Sequence, residues 1–299
     1  MEPIAALLIV ISVVFHATWN LIAKKSVMTI TFYALLCQTS CVILCSGLFW
    51  LPVRYSALPP AFWRTVVLAV SFDCLYGYGL SHAYRKLDMS SAYPVMRSLP
   101  LLLTMPLSVM LGGRPLPFHA VIGMVIAFGG CLLMPLKRFR DFDWRFYVSA
   151  DMLFILLAAC GTTGYTLMDS RAMAVMRESE PDLSKPIISI GYYVIRCVFL
   201  SSSLAVCNLV DPAARSSYIA LLRKYDWRIL PASVSAMLCY FTVLLAMNHV
   251  TNVTYVQMLR LLALPMGLLT GILILKEKGA PPKFAGVALI LAGLILAAF

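Results

Sequence analysis

Four ionisable side chains stand inside otherwise apolar stretches of this sequence: Asp73, Arg97, Arg196 and Arg260. A charge at the centre of a membrane-buried helix costs at least ~2.5–3.5 kcal/mol, so each of the four must face a partner or a polar cavity. Arg97 and Arg260 are 163 residues apart, and the same interval separates Gly123 from Gly286 and Gly130 from Gly293. Laid over itself at that offset, the stretch 80–134 follows 243–297 through three hydrophobic segments without a gap. Two guanidiniums related in this way approach a shared space from related directions. Together they can hold a carboxylate or phosphate through bidentate hydrogen bonds. Asp73 has two readings, an ion pair with Arg97 or Arg196, or a site for a cation or a proton.

Aromatic residues form the second set with chemical potential. Trp19, Tyr78 and Tyr165 lie within apolar segments and are candidates to line a solute cavity, where rings pack on apolar or cationic groups. Trp19 and Tyr165 also correspond at an internal offset of 146, which pairs 16–25 with 162–171. His82, like His16, can titrate near neutral pH and is a candidate for proton coupling. No phosphate-cradling glycine loop and no nucleophile–base–orienter set is present, so enzymatic activity is not expected. The nine cysteines form no CxxC pair. They read as small apolar side chains, and no metal or cofactor is expected.

The elements that hold these residues follow from composition. Of 299 residues, 61% are hydrophobic and 12% charged, with a mean hydropathy of +0.88. Soluble domains average about 25% charged residues, which this chain does not approach. Segments near 3–23, 29–50, 64–84, 89–111, 115–135, 147–169, 186–209, 229–248, 252–274 and 282–299 are each long enough to span a bilayer. The first ends at a lysine pair and lacks a basic leader, so it reads as a retained span rather than a signal peptide. Membrane-spanning backbone must satisfy its own hydrogen bonds, so all are expected to be helices. The chain thus reads as an all-α polytopic membrane protein of ten transmembrane helices. Residues 1–136 form a first five-helix repeat, 137–146 a basic linker, and 147–299 a second repeat. Five helices per half make the repeats inverted, with a site near the midplane between them. Glycines 123, 129, 130, 267 and 271 offer close helix contacts.

Three stretches carry a family resemblance: HATWNLIAKKS at 16–26, the run from Ser90 to Leu133, and VTYVQMLRLLALPMGLLTGILILKEKG at 253–279 with the glycine-rich helix after it. The chain resembles the drug/metabolite transporter superfamily, in particular its EamA-type ten-helix members, over nearly its whole length. The resemblance implies a secondary transporter of small metabolites, often an exporter of amino acids, working by alternating access. It implies that Trp19, Asn20 and Lys24 line the substrate path. It also gives Pro100, Pro265 and Glu277 roles in breaking or gating helices. Arg114 stands in the first half where Glu277 stands in the second, so the two turns differ.

The expected partners are a small-molecule solute and the lipid bilayer, with no nucleic acid, the chain acting as a monomer or homodimer in the bacterial inner membrane. Alternatives are a transporter of cationic amines or drugs, and a lipid-handling or non-transporting membrane subunit. Family likeness puts both termini in the cytoplasm. Loop charge argues the other way, with about 15 Lys/Arg on the face opposite the termini and about 6 on the terminal face.

Overall fold

The computed structural model describes residues 2–23, 30–86, 89–147, 149–150, 152–273, 276 and 279–298, giving only the backbone of a few helical positions such as Asn20. Among these residues all regular structure is helical. Eleven principal helices follow one another. They are α1 (Pro3–Ala23), α2 (Ile30–Leu44, with a further turn at Gly47–Trp50), α3 (Pro60–Lys86), α4 (Met89–Met110) and α5 (Phe118–Leu133). After a short turn at Trp144–Tyr147 come α6 (Met152–Ser179), α7 (Lys185–Val210), α8 (Pro212–Arg223) and α9 (Ile229–Met247). The chain closes with α10, which is Thr254–Leu259 continued through a 3-10 turn into Ala263–Leu273, and α11 (Pro281–Ala298).

Six of the described helices are long and apolar enough to cross a membrane: the α2 span Thr31–Trp50, α6, α7, α9, α10 and α11. This marks the chain as a membrane protein. The apolar stretches of α1 and α5 are shorter. Asp73 in α3 and Arg97 in α4 dilute the hydropathy of the helices that carry them.

Two elements differ from the sequence reading. The sixth segment, expected to end near 169, runs to Ser179 because Ala172, Met173, Val175 and Met176 continue its buried face beyond the polar Asp-Ser-Arg at 169–171. The stretch 211–228, expected as a loop, contains α8. Tyr218, Leu221 and Tyr225 recur at helical spacing and pack beside α2. Tyr218 accepts a hydrogen bond from Gln38, and the Tyr225 hydroxyl lies 2.9 Å from that of Thr39.

Helices from before the linker pack on helices from after it. α1 lies along α9, α2 along α7, α3 along α6 and α5 along α11, while α4 meets both α6 and α10. The α5–α11 contact is made by glycine. A Cβ on Gly123 would stand 2.5 Å from the Gly293 carbonyl oxygen, and one on Gly286 would stand 2.6 Å from that of Gly130. Only a missing side chain lets these backbones touch. Gly129 and Gly267, in contrast, have open space where a Cβ would go, so they take no part in close packing.

Prolines act differently in the two related helices. α4 runs unbroken through Pro94, Pro100 and Pro106, so the break expected at Pro100 is absent. In α10, Pro265 cannot donate to the carbonyl one turn earlier, and the preceding residues Arg260–Leu262 tighten into a 3-10 turn. That turn presents Arg260 to the centre of the bundle.

Candidate functional site

A cavity of about 110 Å³ lies between the two sets of helices. α1 contributes His16 and Trp19, α3 contributes Asp73 and Tyr76, and α4 contributes Arg97. Across from them stand Tyr165 of α6, Arg196 of α7, Tyr240 of α9 and Arg260 of α10. Trp19, Asp73, Arg97, Tyr165 and Arg260, singled out from sequence, therefore share one wall system. On α3 the positions 73, 76 and 80 face the cavity. Tyr78 and His82 fall on another face of that helix and do not reach it. Tyr78 is 48% exposed, its ring centroid 4.1 Å from that of His82, and His82 stacks on Phe154 at 5.2 Å. Lys24, Glu277 and the side chain of Asn20 lie outside the described residues.

Charge divides the cavity into two regions. In the first, Arg196 is held between two carboxylates. Its Nη2 donates to Asp73 and its Nε donates to Asp169 at 3.1 Å. Tyr192 and Tyr240 each donate a hydroxyl to Asp169, and Tyr33 donates to Asp73 at 2.7 Å. The Arg196 guanidinium also lies 4.5 Å from the centroid of the Tyr240 ring. Asp73, Asp169 and Arg196 are 2%, 0% and 3% exposed, so these bonds replace hydration almost completely. The sequence offered Arg97 or Arg196 as the partner of Asp73; the structure pairs it with Arg196. Asp169 was not anticipated, since it sits where hydropathy appeared to end the sixth span.

The second region is rich in donors. Arg97 Nε donates to the Tyr93 hydroxyl at 3.2 Å, and Arg97 Nη2 stands 2.6 Å from His16 Nε2. Trp19 Nε1 donates to His16 Nδ1 at 3.1 Å, and the Tyr93 hydroxyl is 2.8 Å from His16 Nε2. Arg97 Nη2 also lies 3.4 Å from His16 Nδ1, so Trp19, Tyr93 and Arg97 all converge on one imidazole, which in its neutral form offers a single acceptor nitrogen. Arg260 brings an unsatisfied donor to the same region, because its Nη1 is buried without a hydrogen-bond partner among the described residues. No ion pair among the described residues joins Arg97 or Arg260 to a carboxylate. Counted as ionised groups, the guanidiniums of Arg97, Arg196 and Arg260 in the cavity wall outnumber by one the carboxylates of Asp73 beside them and of Asp169 behind Arg196.

The cavity residues lie away from the end of the bundle that carries Glu2, and polar links lace that end, some within the second set of helices (Gln257–Thr166, Arg177–Asn248) and the others between the two sets. Gln257 donates to Thr166 at 2.7 Å, and the hydroxyls of Ser108 and Thr254 are 3.1 Å apart. Farther out, Arg177 donates to Asn248 at 2.7 Å and Asn252 donates to the Arg114 carbonyl at 2.8 Å. Glu2 pairs with His249 and, at 3.4 Å, with Lys185, while Arg54 binds Glu180 at 2.9 Å. The Arg54 guanidinium holds the Glu180 carboxyl below its ordinary pKa, and the hydrogen bond from His249 does the same for Glu2.

No family model and no curated protein matches the chain. Solved structures do: one titled only "Crystal structure of protein" superposes with a TM-score of 0.69 at 16% sequence identity, covering 99% of this chain and 97% of its own. That similarity extends over the whole fold and leaves activity open.

Proposed function

We propose that the chain is a secondary transporter that carries a small organic metabolite, bound through its carboxylate, across the membrane by alternating access. The observation that carries this reading is the pair Arg97 and Arg260, which enter one cavity from different helices and have no acidic partner among the described residues. An anionic group on a solute would supply the acceptor that Arg260 Nη1 lacks and balance the surplus guanidinium. Tyr76, Tyr165 and Trp19 offer rings for the rest of the solute. Amino acids and related metabolites fit this description, with export across a bacterial inner membrane as the direction and location we assign.

The packing pattern supports ten spans arranged as two inverted repeats, with α8 as an additional helix outside the count. The first span of each half lies on the third of the other, as α1 on α9 and α6 on α3. Second meets second (α2, α7), fourth meets fourth (α4, α10) and fifth meets fifth (α5, α11). A two-fold operation produces such a pattern. The alternative cargo, a cationic amine, is less well served, because Asp73 and Asp169 are both already engaged by Arg196 and tyrosine hydroxyls. The deciding experiment is a thermal-shift series on the purified protein with amino acids, their decarboxylated amines and their amides. Acids should stabilise and amines should not. Equal stabilisation by the amines refutes the assignment.

A further inference from the structure

A second cavity, of about 210 Å³, opens at the Glu2 end of the bundle among α4, α6, the end of α9 and the segment 250–253 that leads into α10. Its walls include Arg171, Arg177, Ser170, Thr251 and Asn252, and no carboxylate lines it among the described residues. Arg177 is fixed by its bond to Asn248, while Arg171 is exposed and makes no hydrogen bond or ion pair within the described contacts. Asn252 is fixed in turn through the Arg114 carbonyl. Glu180, the acid one turn beyond Arg177, is occupied by Arg54. The result is a built, polar recess with two cations and open hydrogen-bonding capacity.

Its position relates it to the central cavity. Tyr165 lines the central cavity and Arg171 the outer one, six residues later on α6. Val253, the residue just before α10, lines the outer cavity, and Arg260, seven residues later within α10, lines the central one. At 1.5 Å per residue the two lie about 10 Å apart along the same two helices. Between them stand the Gln257–Thr166 and Ser108–Thr254 bonds. A carboxylate released by Arg260 toward the Glu2 end would meet these arginines next, and their potential would concentrate anions from that side.

We propose that this recess is a second, weaker oxyanion site that holds the solute's carboxylate at the Glu2 end of the path. The proposal rests on the central cavity being the carboxylate site of a transporter. The same chemistry would also receive a phosphate from a lipid headgroup, and the experiment separates the two sources.

Trifluoroacetate serves as a minimal carboxylate probe, followed by fluorine NMR line broadening on the full-length protein in detergent. Wild type should titrate in two phases. Arg171→Gln should weaken the second phase about fivefold, the scale of a partly exposed ion pair, and leave the first unchanged. Arg171→Lys should keep most of that phase, which separates loss of charge from loss of fold. Arg260→Gln should remove the first phase and spare the second. A titration in Arg171→Gln identical to wild type overturns the outer site alone. Loss of only the second phase, with Arg260→Gln silent, overturns the central reading and keeps an outer anion site. In nanodiscs the second phase should persist in both phosphatidylcholine and phosphatidylglycerol. Its disappearance in phosphatidylglycerol alone would assign the recess to a lipid headgroup and overturn the solute assignment.

Discussion

Replacing Arg260 by glutamine separates a binding role from a structural one, because the two predict opposite changes in stability. Arg260 Nη1 is buried and unpartnered, so the empty protein bears the cost of a desolvated donor, about 1–3 kcal/mol. Glutamine removes that donor together with the charge, and its neutral amide is cheaper to bury. The ligand-free variant should therefore melt at the wild-type temperature or above it. A charge-assisted hydrogen bond to a bound carboxylate is worth about 1.5–3 kcal/mol, so affinity for acids should fall roughly 10- to 150-fold. The assay is a ligand-dependent thermal shift confirmed by calorimetric titration on the same preparation. Arg97 is a poorer test, since its bond to Tyr93 and its contact with His16 would be lost as well. Lower stability with undiminished affinity for acids would show that Arg260 braces the bundle, and the reasoning would fail.

Three further outcomes follow from the geometry. Arg196→Met leaves Asp73 and Asp169 buried without their shared cation and should destabilise the protein by about 3–5 kcal/mol in thermal unfolding; an unchanged melt would mean that the two acids are not charged in the fold. Gly123→Ala drives a Cβ to 2.5 Å from the Gly293 carbonyl and should destabilise by about 1–3 kcal/mol. Gly129→Ala meets open space in a helix and should stabilise by about 0.5–1 kcal/mol, so equal effects at the two sites would contradict the packing. Arg54 lowers the Glu180 pKa, so this pair's contribution is complete above the ordinary glutamate value of 4.5 and is lost as pH falls through the depressed folded value. Melting temperature should drop in that acidic window, and Glu180→Gln should remove that part of the pH dependence.

The arginine pair was legible in the sequence because a charge in an apolar segment is costly and because the 163-residue interval ties one to the other. The cavity's outline was legible too, through Trp19, Tyr165 and Asp73. Asp169 was not. Its neighbours Ser170 and Arg171 are polar, and hydropathy cannot distinguish a helix that ends from one whose polar residues turn to an interior site. Tyr33, which holds Asp73, carried no signal beyond being an aromatic near a helix start. Tyr78 and His82 were misplaced for a geometric reason: residue type marked them as candidates, but position 78 lies two residues past Tyr76 and so points to another face of α3. The apolar stripe that seats α8 is only Tyr218 and Leu221, with Tyr225 just past the helix end, and it was outweighed by the flanking charges.

The glycine contact between α5 and α11 has a reciprocal form. Gly123 meets Gly293, while Gly286, the counterpart of Gly123, meets Gly130, the counterpart of Gly293. This is an isologous arrangement, the kind a homodimer makes across its two-fold axis, here enclosed in a single polypeptide. Each contact occurs twice and each glycine rests on the other half's backbone, so neither half can acquire a side chain at these positions without disturbing its twin. Positions 163 residues apart elsewhere in the sequence are free to differ, as Arg114 and Glu277 do. Four glycines in two helices thus act as one reciprocal contact, in which a side chain added at any one of them strikes the backbone of the other helix.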